Sequence, residues 1–207
     1  MIYRHISGKL CMSSSPDNDP ISATRNWLQR AVIGLNLCPF AKAVFVKDQI
    51  RYVVSEARDT EALLTELVAE LRYLQATSAD EVDTTLLIHP HVLTDFLDYN
   101  DFLDIAEAAI AEFGLEGEIQ IASFHPDYRF ADSYEDAVEN CTNRSPFPML
   151  HLLREASVER AVDAFPDPDA IIDRNMATLR ELGMDGWQRL LASAPDVTDR
   201  TVDPSPG

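Results

Sequence analysis

The sequence predicts an α/β fold, a small parallel or mixed sheet covered by helices, with a helical C-terminal third. Three observations predict it. Between residues 50 and 124, segments of strand length alternate with segments of helical periodicity, an order that calls for crossover connections and a parallel core sheet. One strand segment, Thr84-Thr85-Leu86-Leu87-Ile88, is apolar or β-branched throughout, as expected of a strand covered on both faces. From Met149 onward the apolar residues take helical spacing.

The elements follow in order. Between Ser22 and Leu37, the residues Leu28, Ala31 and Leu35, followed by Cys38, recur at helical spacing. Pro39 disfavours α geometry at Cys38, so this helix is expected to end about there. Ile50 to Val54 reads as a short strand, carried by Tyr52, Val53 and Val54. Asp59 can cap a second helix with the stripe Leu63, Leu64, Leu67, Val68, Leu71 and Leu74. Thr94 can cap a third, which buries Phe102, Ala106, Ala109, Ile110 and Phe113 before Gly114 supplies a left-handed stop. Ile119 to Phe124 is the next strand, expected to lie parallel and adjacent to 84–88 because a helix of crossover length joins them. A long loop runs from His125 to Pro148. Helices are expected near 149–155 and 158–165, another from Asp167-Pro168 to just before Gly183, and a last turn around Trp187.

At 207 residues the chain fits a single domain. Residues 21–193 are expected to form it, with residues 1–20 and 194–207 as disordered ends, and Met12 is an alternative start. Thirty-five Asp and Glu against 17 Lys and Arg leave a net charge of −18. The ends do not explain it, because residues 1–20 balance two basic against two acidic groups and residues 195–207 add only −2. So acidic a body argues against nucleic acid and against an anionic membrane surface as partners. An anionic small molecule would need a local basic pocket. Three cysteines, Cys11, Cys38 and Cys141, form no CxxC pair, which fits a reducing, cytoplasmic setting. The first 20 residues lack the apolar run of a signal peptide, and no segment approaches the ~20 apolar residues of a membrane span. There is no glycine-rich phosphate loop and no GxSxG, so no nucleotide cofactor or nucleophile-elbow chemistry is indicated.

Candidate chemistry falls in three places. Two strand ends carry similar sequences, Ile88-His89-Pro90-His91 and Phe124-His125-Pro126-Asp127. Ligands of open α/β sheets bind beyond the carboxyl ends of strands, so His89 and His125 are expected on one rim. His89 and His91 have the two-residue spacing of a pair of metal ligands, with His125 or Asp127 as a third; the alternative is that these rings bond to backbone. Cys38 is a nucleophile if its thiol is activated by a helix N-terminus or a nearby base, and otherwise continues the buried Leu28–Ala31–Leu35 stripe. Asn143-Arg144-Ser145-Pro146-Phe147-Pro148, running into Met149-Leu150-His151-Leu152-Leu153-Arg154, concentrates two arginines and a histidine in an acidic protein. It reads as an anion site at a helix start, or as arginines that lock the long loop.

The stretches Gly34-Leu35-Asn36-Leu37-Cys38-Pro39-Phe40-Ala41, Thr85-Leu86-Leu87-Ile88-His89-Pro90, Ala122-Ser123-Phe124-His125-Pro126-Asp127-Tyr128 and, as the fourth, Thr142-Asn143-Arg144-Ser145-Pro146 followed by Leu150-His151-Leu152-Leu153-Arg154-Glu155, resemble the bacterial family known as domain of unknown function 1415. The resemblance spans about residues 22–184 and rests on four motifs in order. It implies one candidate set, namely Cys38, His89, His125, Asn143, Arg144, His151 and Arg154, rather than a reaction.

The reading that follows is a small-molecule enzyme acting on an anionic substrate. His125, Cys38 and His151 would be its reactive groups, with His125 as acid/base. Asn143, Arg144, Ser145, Arg154 and His89 would hold the substrate. A metal-dependent enzyme using His89, His91 and His125, and a non-catalytic ligand- or partner-binding domain, are the alternatives.

Overall fold

A computed structural model of the chain describes residues 19–164, 167 and 170–192; the expected disordered segments lie almost entirely outside these residues. Among the described residues no helix is long and apolar enough to cross a membrane. The architecture is α/β, a four-stranded mixed sheet between two helical layers.

The strands are β1 (Ile50–Val54), β2 (Thr84–Ile88), β3 (Ile119–Phe124) and β4 (Met149–Arg154). The first three occupy the segments read from the sequence. Their order across the sheet is β1-β2-β4-β3, with β1 and β2 parallel and β4 antiparallel to both of its neighbours. Two expectations fail together here. β2 and β3 run in the same direction, but they are not adjacent, because β4 occupies the slot between them. The segment expected as a helix near 149–155 is accordingly a strand over Met149–Arg154, and Glu155 opens the next helix. Its Leu and Met residues favour a helix locally, but both faces of a central strand are covered, so Leu150 and Leu152 enter one core while Met149 enters the other. Pairing with two neighbours overrides the local preference.

Helix α3 (Thr60–Ala76) and helix α4 (Phe96–Glu112) cover one face. Leu63, Leu67, Leu71, Phe102, Ala106 and Ile110 pack there against Leu87, Leu150, Leu152 and Ile119. Asp59 caps α3 by accepting from the Ala62 amide. The cap of α4 is Asp95 rather than Thr94, accepting from the amides of Leu97 and Asp98. Gly114 takes a φ of 68° after α4, the left-handed stop that glycine tolerates without strain.

The other face carries α1 (Pro20–Trp27), α2 (Ala41–Val46), α5 (Glu155–Asp163) and α6 (Ala170–Ala192), the last broken at Gly183 with φ 66°. The expected helix through Leu37 is divided. α1 passes into a π-helix at Leu28–Ile33, where Gly34 and Leu37 donate to carbonyls five residues back, on Gln29 and Val32. A Cβ on Gly34 would collide with the Arg30 carbonyl, so the wide turn depends on glycine there. Asn36, with φ 53°, then turns the chain away. The short helix α2 follows Cys38, where the activated-thiol reading needs a helix start, but it begins at Ala41 with Phe40 at its cap position.

Candidate functional site

The strand alternation sorts the candidate residues. His89 and His125 follow β2 and β3 and turn towards the α3/α4 side. There both rings lie against Tyr99 of α4, with centroids 5.8 Å and 5.1 Å from its ring. They share a rim although their strands are not neighbours: β4 separates them, and Tyr99 bridges the gap. Its hydroxyl donates to the Met149 carbonyl at 2.9 Å and accepts from the Phe124 amide at 3.0 Å.

Both histidines bond to backbone. His89 Nδ1 donates to the Val92 carbonyl at 3.0 Å. His125 donates from Nε2 to the Leu93 carbonyl at 3.3 Å and accepts the Asp127 amide on Nδ1 at 3.0 Å. Both rings are fully buried. Burial pushes His89 down to about 4 and lowers His125 from its ordinary value, because an imidazolium is costly where water cannot reach it. His91 is exposed. Among the described residues no three His, Cys, Asp or Glu side chains converge on a cation position, which removes the His89/His91/His125 metal set.

The arginines separate. Arg144 donates from Nε to the Tyr128 carbonyl at 3.1 Å and from Nη2 to the Glu135 carbonyl at 2.6 Å, tying down the 125–148 loop. Arg154 lies at the other end of β4. It donates to the carbonyls of Leu74, Thr77 and Val82, satisfying the end of α3 as a basic side chain can. Asn143 donates to the Ser123 carbonyl, and the Ser145 hydroxyl donates to Phe147. A residue absent from the sequence reading organises the same loop. The carboxamide of Asn140, fully buried, receives the Phe130 amide and Ser133 hydroxyl and donates to the Tyr134 carbonyl.

Cys38 and His151 meet elsewhere. Both line a cavity of about 280 Å³ on the face away from α3 and α4. Its floor is the sheet, with Leu86, Ala122, Phe124 and Leu153. Its walls are Trp27 of α1, Leu28 and Val32 of the π-helix, Val44 of α2, and Val158 and Ala161 of α5. Thr84, Asp83, Gln120 and Ser157 supply the remaining polar groups. Cys38 is half-buried and packs with the Leu35 cluster. Burial raises its thiol above the ordinary value, outweighing the Phe40 and Ala41 amides that favour the thiolate, so it is protonated near neutral pH. His151 Nε2 lies 2.7 Å from Thr84 Oγ1, which in turn lies 2.6 Å from the Leu152 carbonyl oxygen. Burial pushes His151 down to about 4, so its ring is neutral at pH 7.

The family model described as "Protein of unknown function (DUF1415)" matches residues 19–189. The chain belongs to the DUF1415 family. No curated protein and no solved structure matches it. The DUF1415 match covers every element that builds the rim and the cavity, from α1 to Trp187 of α6. The sequence motifs supplied the rim histidines and, through Cys38, Leu86, Ala122, Phe124 and His151, part of the cavity lining; Gly34, which permits the π-helix, is a further local signal that bears on it. π-helical turns in other helices often sit at functional sites.

Proposed function

We propose that this protein binds a small, predominantly apolar molecule in the cavity between the sheet and the α1, α2 and α5 layer. The observation that carries this reading is the cavity itself, about 280 Å³ with mainly apolar walls and one neutral imidazole, His151, among them. A recess with mainly apolar walls and a few convergent polar groups is the usual make-up of a ligand pocket. The π-helix supports the same reading, because Leu28 and Val32 reach the cavity from its wide turn.

The alternative of an anionic substrate on a His/Arg rim draws support from an open cleft of about 540 Å³ that Arg144 and Ser145 share with Trp187 and Gln188. It is the weaker reading, because two donors of Arg144 are already engaged by loop carbonyls.

Ala122 offers a direct test, since its methyl group faces the cavity from β3. Ala122→Leu should fill part of the space, leave the stability unchanged or raise it by up to about 2 kcal/mol, and weaken binding of indole at least about tenfold by calorimetry. Indole binding that is undiminished in a folded Ala122→Leu protein would place the ligand elsewhere.

A further inference from the structure

The hydroxyl of Thr84 decides which ring nitrogen of His151 carries the proton. Its oxygen lies 2.6 Å from the Leu152 carbonyl oxygen, which has no proton to give. The hydroxyl therefore spends its single hydrogen on that carbonyl and can only accept in its 2.7 Å contact with His151 Nε2. The imidazole proton thus sits on Nε2, and Nδ1 presents a bare lone pair. The contact with Thr84 is the one side-chain hydrogen bond of His151 found among the described residues, and the half-buried ring lines the cavity.

We propose that the cavity selects neutral molecules of one or two rings that donate a hydrogen bond, through O–H or N–H, to His151 Nδ1. This deepens the binding reading above and rests on it. An apolar cavity of about 150 Å³ holds benzene, so about 280 Å³ suits one or two rings. An ether, ketone or aldehyde oxygen would set a lone pair against the Nδ1 lone pair. A carboxylate would do the same with a full charge, in a cavity lined by the Asp83 carboxyl and, among the described residues, by no Lys or Arg. A phenol-like or indole-like donor satisfies Nδ1 and buries its rings against Trp27, Leu86 and Phe124.

Two measurements on the full chain test this. In the first, titration calorimetry compares indole with its isostere benzofuran, whose ether oxygen stands where indole has N–H. Indole should bind at least about tenfold tighter, the loss expected when a buried acceptor is left without its donor. Equal affinities would overturn donor selection and leave the cavity reading intact; binding of neither would overturn both. In the second, ¹⁵N NMR of histidine-labelled protein near pH 7 should report His151 as the Nε2–H tautomer, with or without ligand, and the Nδ1–H tautomer would overturn the Thr84 relay. Thr84→Val, which removes the acceptor for the Nε2 proton, should shrink the advantage of indole several-fold, and an undiminished advantage in folded Thr84→Val would contradict the relay.

Discussion

Lowering the pH from about 7 to about 4.5 should cost this protein several kcal/mol of stability, with the loss beginning near the ordinary histidine value. His89 and His151 are held neutral in the folded chain, each pushed down to about 4 by burial, and His125 is lowered in the same direction. In the unfolded chain the same groups titrate at about 6.5. Between those values the unfolded state binds protons that the folded state refuses, so stability rises with pH through the window and is complete above it. Read downward, the contribution is lost as pH falls from about 6.5 to about 4, by about 3 kcal/mol for each of the two rings at ~1.4 kcal/mol per pH unit. Relief of the −18 net charge acts in the opposite sense, but mainly where carboxylates protonate, nearer pH 4. Denaturant titrations at several pH values check the outcome. His151→Leu should flatten the slope between about pH 6.5 and 5 by roughly one proton. A stability that stays flat from pH 7 to 5 in the natural protein would contradict the neutral state of these rings.

The largest single-residue effect should come at Tyr99. Its ring is fully buried, lies against both rim histidines, and carries a hydroxyl that joins the Met149 carbonyl to the Phe124 amide. Tyr99→Phe keeps the packing and strands both backbone groups at the rim, for a cost of about 2 kcal/mol. Tyr99→Ala adds a void between His89 and His125 and should cost about 4 kcal/mol or more, a large part of the 5–15 kcal/mol that a domain typically has. Equilibrium unfolding separates the two. A loss below about 1 kcal/mol in Tyr99→Ala would mean that the rim does not depend on this bridge.

Much of the scaffold is legible in the sequence because it follows local rules. Val53 and Val54, the Thr84–Ile88 run and Ile119–Phe124 are strands by composition, and the Leu63–Leu67–Leu71 stripe and Gly114 mark α3 and the end of α4. β4 is not legible, because Leu150, Leu152 and Leu153 favour a helix and become a strand only when β2 and β3 leave a slot for them. The error carries over to the site. A helix from Met149 would have set Arg144, His151 and Arg154 around one anion, whereas the extended strand sends His151 to one face, Arg154 to the other and to the far end, and leaves Arg144 in the loop. His89 and His125 do reach one rim, but through Tyr99, whose part no local pattern signals. The cavity draws Trp27, Cys38, Ala122, His151 and Val158 from separate elements, so only the tertiary fold brings them together.

Methyl NMR during addition of indole tests the central claim most directly. The methyl signals of Leu28, Val32, Val44, Leu86 and Leu153, which line the cavity, should shift in a saturable way. Those of Leu63, Leu67 and Leu71, in the core on the other side of the sheet, should stay in place. Shifts confined to Met184 and Leu191, beside the open cleft, or no saturable shift at the cavity methyls, would contradict a ligand site between the sheet and α5.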